Sequence, residues 1–154
     1  MRLNEKENNG SYPFLLACDR NDIEIIEYLI DYANKNNIIL ELNEKNSNGF
    51  YPLLLACDKN NIEMVKILID YANKSNIHLE LNERNENGFY PFLLVCNHNN
   101  IEMVKLFINY SSENDMILKL NEKEKMDFTQ YYWLVIKIIL KWLNYLLITV
   151  IKTI

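Results

Sequence analysis

The chain has 154 residues, an apolar share of 49% and a formal net charge of −5. That length suits one compact unit able to bury a real core. The acidic balance, with a pI near 5.1, argues against a duplex nucleic-acid binder, which needs a basic face.

The opening MRLNEKENNG lacks the apolar run of a secretory signal. Asn9-Gly10 then marks a turn, because both residues tolerate positive φ. Pro13 follows three residues after the glycine and suits the first turn of a helix, where a missing N–H costs nothing. The same pattern returns at Gly49 and Gly88, at Pro52 and Pro91, and at Cys57 and Cys96 after Cys18. Each set is spaced by 39 residues, and these are all the glycines, prolines and cysteines in the chain. A fixed period of this kind marks a stack of repeats, here about 3–41, 42–80 and 81–119.

Within the second copy, Pro52 to Asp58 reads as a short helix one. Asn60, like Asn21 and Asn99, falls where a tight turn needs a left-handed residue. The next position, Asp22, Asn61 or Asn100, is a natural N-cap for helix two. Helix two is expected over Ile62 to Lys74, with Ile62, Val65, Ile69 and Ala72 as its apolar stripe. Glu24, Glu63 and Glu102 lie in its first turn, favourable against the positive helix end. The period then changes to two. Ile38, Leu40 and Leu42, then Ile77, Leu79 and Leu81, then Met116, Leu118 and Leu120, alternate with mostly polar neighbours, which predicts a half-buried extended arm.

Turn, proline-led short helix, tight turn, longer helix and arm together resemble the ankyrin repeat. Gly49-Phe50-Tyr51-Pro52-Leu53-Leu54-Leu55-Ala56 matches that family's G-x-T-P-L-H-x-A run. Asn60-Asn61-Ile62-Glu63-Met64-Val65-Lys66-Ile67-Leu68 matches its G-H-x-E-I-V-K-L-L run. Tyr12, Tyr51 and Tyr90 depart from the family's capping Thr, and Leu15, Leu54 and Leu93 from its His. Asn replaces the inter-helix Gly, and the unit is longer than the family's usual one. The resemblance implies an all-α, ankyrin-type helix-turn-helix solenoid with extended hairpin arms over residues 1–120. Three copies are near the minimum for such a stack, and polar-faced terminal caps are not evident.

Residues 121–154 leave the pattern. One reading is an irregular hydrophobic C-terminal helix, and another is a membrane span over 131–154, long enough to cross. Lys137 and Lys141 oppose the span, at roughly 2.5–3.5 kcal/mol each near the bilayer centre. A third reading needs only the genetic code. In the frame beginning at each codon's third base, Met126–Asp127 forces a glycine. AT-rich codon choices turn the rest into NGFYPILLACNKNNIEMVKLFINYCNKNN. On that reading a one-base slip near Lys123 to Lys125 has put a degenerate fourth repeat out of frame.

Few residues suggest chemistry. Cys18, Cys57 and Cys96 recur once per repeat, which predicts buried packing residues in a reducing setting rather than disulfides or metal ligands. His78 and His98 sit in different elements and read as solvated. No phosphate loop or acid pair is recognisable, so no catalytic, cofactor-binding or metal site is expected. The family grips partners by turn tips and the exposed end of helix one. Carried over, the partner-binding candidates are Ser11, Asp19 and Arg20 in repeat one, Ser47, Phe50, Asp58 and Lys59 in repeat two, and Glu86, Phe89, Asn97 and His98 in repeat three. Asn8, Asn9, Asn48 and Asn87 flank them. Phe50 and Phe89 stand out, since an aromatic at a turn tip can anchor a partner or pack on the next turn. The resemblance thus implies a non-catalytic, intracellular protein-binding scaffold, cytoplasmic or nuclear, cut from a longer array. It binds another protein and no nucleic acid, and a membrane-tethered variant is the alternative.

Overall fold

The computed structural model describes residues 2–118. The tail, and with it every reading of 121–154 and of Leu120, lies outside the described residues. Within them the chain forms helical pairs: α1 (Pro13–Asp19) with α2 (Ile23–Lys35), α3 (Pro52–Asp58) with α4 (Ile62–Ser75), and α5 (Pro91–Asn97) with α6 (Ile101–Glu113). No strand occurs among the described residues. The arms run extended, without a β-ladder.

Each short helix starts at its proline, and a left-handed asparagine two residues past its end turns the chain away. Asn21, Asn60 and Asn99 take φ of +57°, +51° and +54°. The N–H three residues past the helix then turns back, from Asn61 to the Ala56 carbonyl at 2.9 Å in repeat two. This is a Schellman-type ending with Asn in place of the usual glycine. The same residues start the longer helix. The side chains of Asp22, Asn61 and Asn100 accept from the N–H groups of Ile25, Met64 and Met103 at 3.1, 2.9 and 3.1 Å. Such a cap contributes about 1 kcal/mol. The long helices end like the short ones, with Asn37, Asn76 and Asp115 at φ of +54°, +54° and +52°.

Of the stripe expected for helix two, Val65 and Ala72 pack fully while Ile62 and Ile69 do not. In α4 the buried residues are Met64, Val65, Leu68, Tyr71 and Ala72, whereas Ile62 and Ile69 are only partly buried. α4 is apolar on most of its circumference, and the flanking α2 and α6 decide which residues close. Ala17, Ala56 and Val95 do share one interior, at 4%, 0% and 0% exposure, because α3 packs between α1 and α5. Each fully buried leucine or phenylalanine in this interior contributes about 1.5–3 kcal/mol.

The tyrosines that replace the family's threonine do not cap helix one. Tyr12 and Tyr51 are fully buried, and their hydroxyls reach the arm that leads from their own repeat into the next. Tyr51 donates to the Glu80 and Glu83 carbonyls at 2.9 and 3.0 Å, and Tyr12 likewise to Glu41 and Glu44. A second set joins neighbouring repeats. The N–H groups of Leu40 and Leu79 donate to the Tyr71 and Tyr110 hydroxyls, each at 3.0 Å. These bonds satisfy backbone groups in an arm that has no sheet.

The alternation in the arms holds. Leu40, Leu42, Leu79 and Leu81 are buried, while Ile39, Glu41, His78 and Glu80 are exposed. Asn4, Asn43 and Asn82 rivet successive arms, donating to the carbonyls of Ile39, His78 and Ile117 at 2.7, 2.7 and 2.8 Å.

Candidate interaction surface

Each turn is built from its own backbone and one asparagine. The Asn46 N–H donates to the Phe50 carbonyl, and the Gly49 N–H to the Asn46 carbonyl, both at 2.9 Å. Asn46 Oδ1 accepts from the N–H groups of Asn48 and Phe50, both at 3.0 Å. Asn85 does the same for Asn87 and Phe89. Only the glycine of each Asn-Gly pair is left-handed, with Gly10, Gly49 and Gly88 at φ of +76°, +78° and +82°.

The turns are also bonded to each other. The Ser47 N–H donates to the Asn9 carbonyl at 2.8 Å, and the Glu86 N–H to the Asn48 carbonyl at 3.2 Å. A Cβ on Gly49 would come within 2.7 Å of Asn85 Cα, and one on Gly10 within 3.1 Å of Asn46 Cα. Glycine is therefore needed twice over, for its φ and for the approach of the next turn. The three tips form a stiff row instead of three independent loops.

Asn8, Asn9, Ser47, Asn48, Glu86 and Asn87 are exposed along that row. Phe50 and Phe89 are partly buried and pack against the core. Ser11 is set back: it is 5% exposed, and its N–H donates to the Asn9 side chain at 2.9 Å. A second row lies at the ends of the short helices, where Asp19, Arg20, Asp58, Asn97 and His98 are exposed and Lys59 is half-buried. This row is cross-linked between repeats. Lys59 Nζ lies 3.3 Å from Asp19, and His98 Nε2 lies 3.0 Å from the Asp58 carbonyl. The Asn21 and Asn60 side chains accept from those of Asn61 and Asn100 at 2.7 and 2.8 Å. The sequence picked out the exposed residues of both rows but missed these ties, which join residues about one period apart.

Reactive groups are inward. Cys18, Cys57 and Cys96 are free and buried. Burial pushes all three thiols up, Cys96 to about 12. A thiol so held is a packing group and a poor nucleophile. Burial likewise raises the hydroxyls of Tyr12 and Tyr51 above the usual phenol range, helped by the nearby Cys18 and Cys57. Among the described residues no group of His, Cys, Asp and Glu is placed to hold a metal ion, and no helix is long and apolar enough to cross a membrane. His78 and His98 are exposed and far apart in the chain, in different repeats.

The comparison with protein families returns the same architecture. A family model for ankyrin repeats in three copies matches residues 1–80, and one for ankyrin repeats in many copies matches residues 56–108. No curated protein matches the chain.

Proposed function

Because the chain belongs to the ankyrin-repeat family, whose repeats serve as protein-interaction modules, we propose that it is a non-catalytic scaffold. It binds another protein through its turn tips and the ends of its short helices. The observation that supports this most is the stiff row of tips, in which exposed polar residues alternate with half-buried Phe50 and Phe89. A preorganised row loses little entropy on binding, and half-buried rings supply apolar contact area. Asp19, Arg20, Ser47, Asp58, Lys59, Glu86, Asn97 and His98 are the polar contacts on this reading. Ser11 contributes through its backbone.

The test is capture of partners by the full chain and by the Phe50→Ala, Phe89→Ala double variant, with circular dichroism to show that both fold. Loss of at least one partner from a folded variant supports the reading. Equal recovery of every partner would assign both rings to packing.

Residues 1–120 act as one stack of repeats, the chain is a segment of a longer array in a reducing intracellular compartment, and 121–154 are a fourth repeat out of frame. The coding sequence decides the last point, since codons that give no repeat in the alternative frame remove it. The apolar content of 131–154 supports a membrane tether as the second reading, and resistance of the full-length chain to carbonate extraction would favour it.

A further inference from the structure

Repeat one carries on its outer face the residues that repeats two and three bury at their junctions. Met64 and Met103 are both 0% exposed, and Tyr71 and Tyr110 are 4% and 2%. Their counterparts in repeat one are Ile25, 42% exposed, and the half-buried Tyr32. Tyr28 stands at the register of the partly buried Ile67 and Leu106 and is 67% exposed. An end repeat built to face water would carry polar side chains here. Repeat one keeps the pattern of an interior repeat.

The polar frame recurs as well. Glu5, which pairs with the neighbouring Arg2 at 2.9 Å, stands at the register of Glu44 and Glu83, which take Lys6 and Lys45 of the preceding repeat at 2.6 and 2.9 Å. Arg20 holds the place of Lys59, which takes Asp19 at 3.3 Å. Glu24 holds the place of Glu102, which takes Lys66 at 2.9 Å. Asp22 replaces Asn61 and Asn100, whose amides donate to Asn21 and Asn60.

We propose that this face, Ile25 and Tyr28 framed by Glu5, Arg20, Asp22 and Glu24, docks the C-terminal face of a further repeat of the same design stacked in line ahead of residue 3. The chemistry of the occupant follows from the frame. It presents a base to Glu5, an acid to Arg20, a lysine to Glu24 and an amide N–H to Asp22, whose carboxylate can only accept. Lys45, Asp58, Lys66 and Asn60 meet all four demands in repeat two. A second copy meeting this face with the same face would set Glu5, Asp22 and Glu24 among their own kind, which is repulsive. The proposal rests on the reading of the chain as part of a longer array and uses a different surface from the turn tips.

In the test, residues 42–80 are fused in register ahead of residue 3 of the full chain, and Ile25→Glu is made in both parent and fusion. Urea unfolding is followed by circular dichroism. The fusion should unfold in one transition with its midpoint raised by roughly 1 M. Ile25→Glu should be close to silent in the parent and should erase the gain in the fusion. An unchanged midpoint, a separate transition for the added repeat, a fusion that does not fold, or an equal effect of Ile25→Glu in both backgrounds would overturn the proposal. Failure of the array reading would show elsewhere, as a coding sequence with no repeat upstream, and leaves the fusion result to stand by itself.

Discussion

Replacing each turn glycine by alanine separates backbone strain from the packing of turn on turn. All three glycines have left-handed φ, and an L-residue there costs about 1–2 kcal/mol. Alanine recovers about 0.4–1 kcal/mol by restricting the unfolded chain. The net strain is therefore about 1 kcal/mol at every site. Steric room differs. The new Cβ meets Arg84 Nη1 at 3.8 Å from Gly88, Asn46 Cα at 3.1 Å from Gly10, and Asn85 Cα at 2.7 Å from Gly49. Asn85 is backbone held by its own turn, so Gly49→Ala adds an overpacking cost of about 1–3 kcal/mol. The expected order of destabilisation is Gly49, then Gly10, then Gly88, with roughly 2 kcal/mol between the extremes. In urea melts of the full chain that is a spread of about 1 M in midpoint. Equal shifts at Gly49 and Gly88 would show that strain alone acts and that the turns do not press on each other.

Further outcomes follow from the buried hydroxyls and thiols. Tyr51→Phe leaves the Glu80 and Glu83 carbonyls without their donor and should cost about 1–3 kcal/mol; a neutral substitution in urea melts would mean water reaches the arm. Cys18, Cys57 and Cys96, buried with raised pKa values, should resist alkylation in the native chain and all react in urea. Labelling of any one of them at the rate of free cysteine would place that thiol at the surface. Burial also raises Tyr12 and Tyr51, so the folded chain keeps protons that the unfolded chain releases. Stability is then fully present below about pH 8.5 and falls as pH rises through and above about 10, by up to ~1.4 kcal/mol per pH unit for each group. Identical urea midpoints at neutral pH and pH 10 would contradict this.

Local chemistry made much of the fold readable. Proline, asparagine and glycine each act within a few residues, so the bounds of the short helices, the left-handed Asn21, Asn60 and Asn99, and the caps of the long helices followed from spacing. The second left-handed set, Asn37, Asn76 and Asp115, was hidden in polar stretches with several Asn, Asp, Ser or Lys side by side, where no single position is singled out. The stripe of α4 was half right: Val65 and Ala72 are buried, but Met64 and Leu68 close in place of Ile62 and Ile69, because these residues offer overlapping apolar faces and the neighbouring repeats choose between them. The hydroxyls of Tyr12, Tyr51, Tyr71 and Tyr110 bond backbone groups about 30 residues away. No local pattern announces such a partner. At the interaction surface, exposure was legible from the family pattern. The depth of Ser11 and of the two phenylalanines depends on tertiary packing against the core, which composition does not fix.

The most direct test of register stacking is hydrogen exchange at the Leu40 and Leu79 amides. In an extended arm without a ladder these N–H groups are protected only if Tyr71 and Tyr110 of the following repeats reach them. Slow exchange at both, lost at Leu40 but kept at Leu79 in Tyr71→Phe, is the predicted result. Exchange at the rate of an unfolded chain in the unaltered protein would contradict the stack.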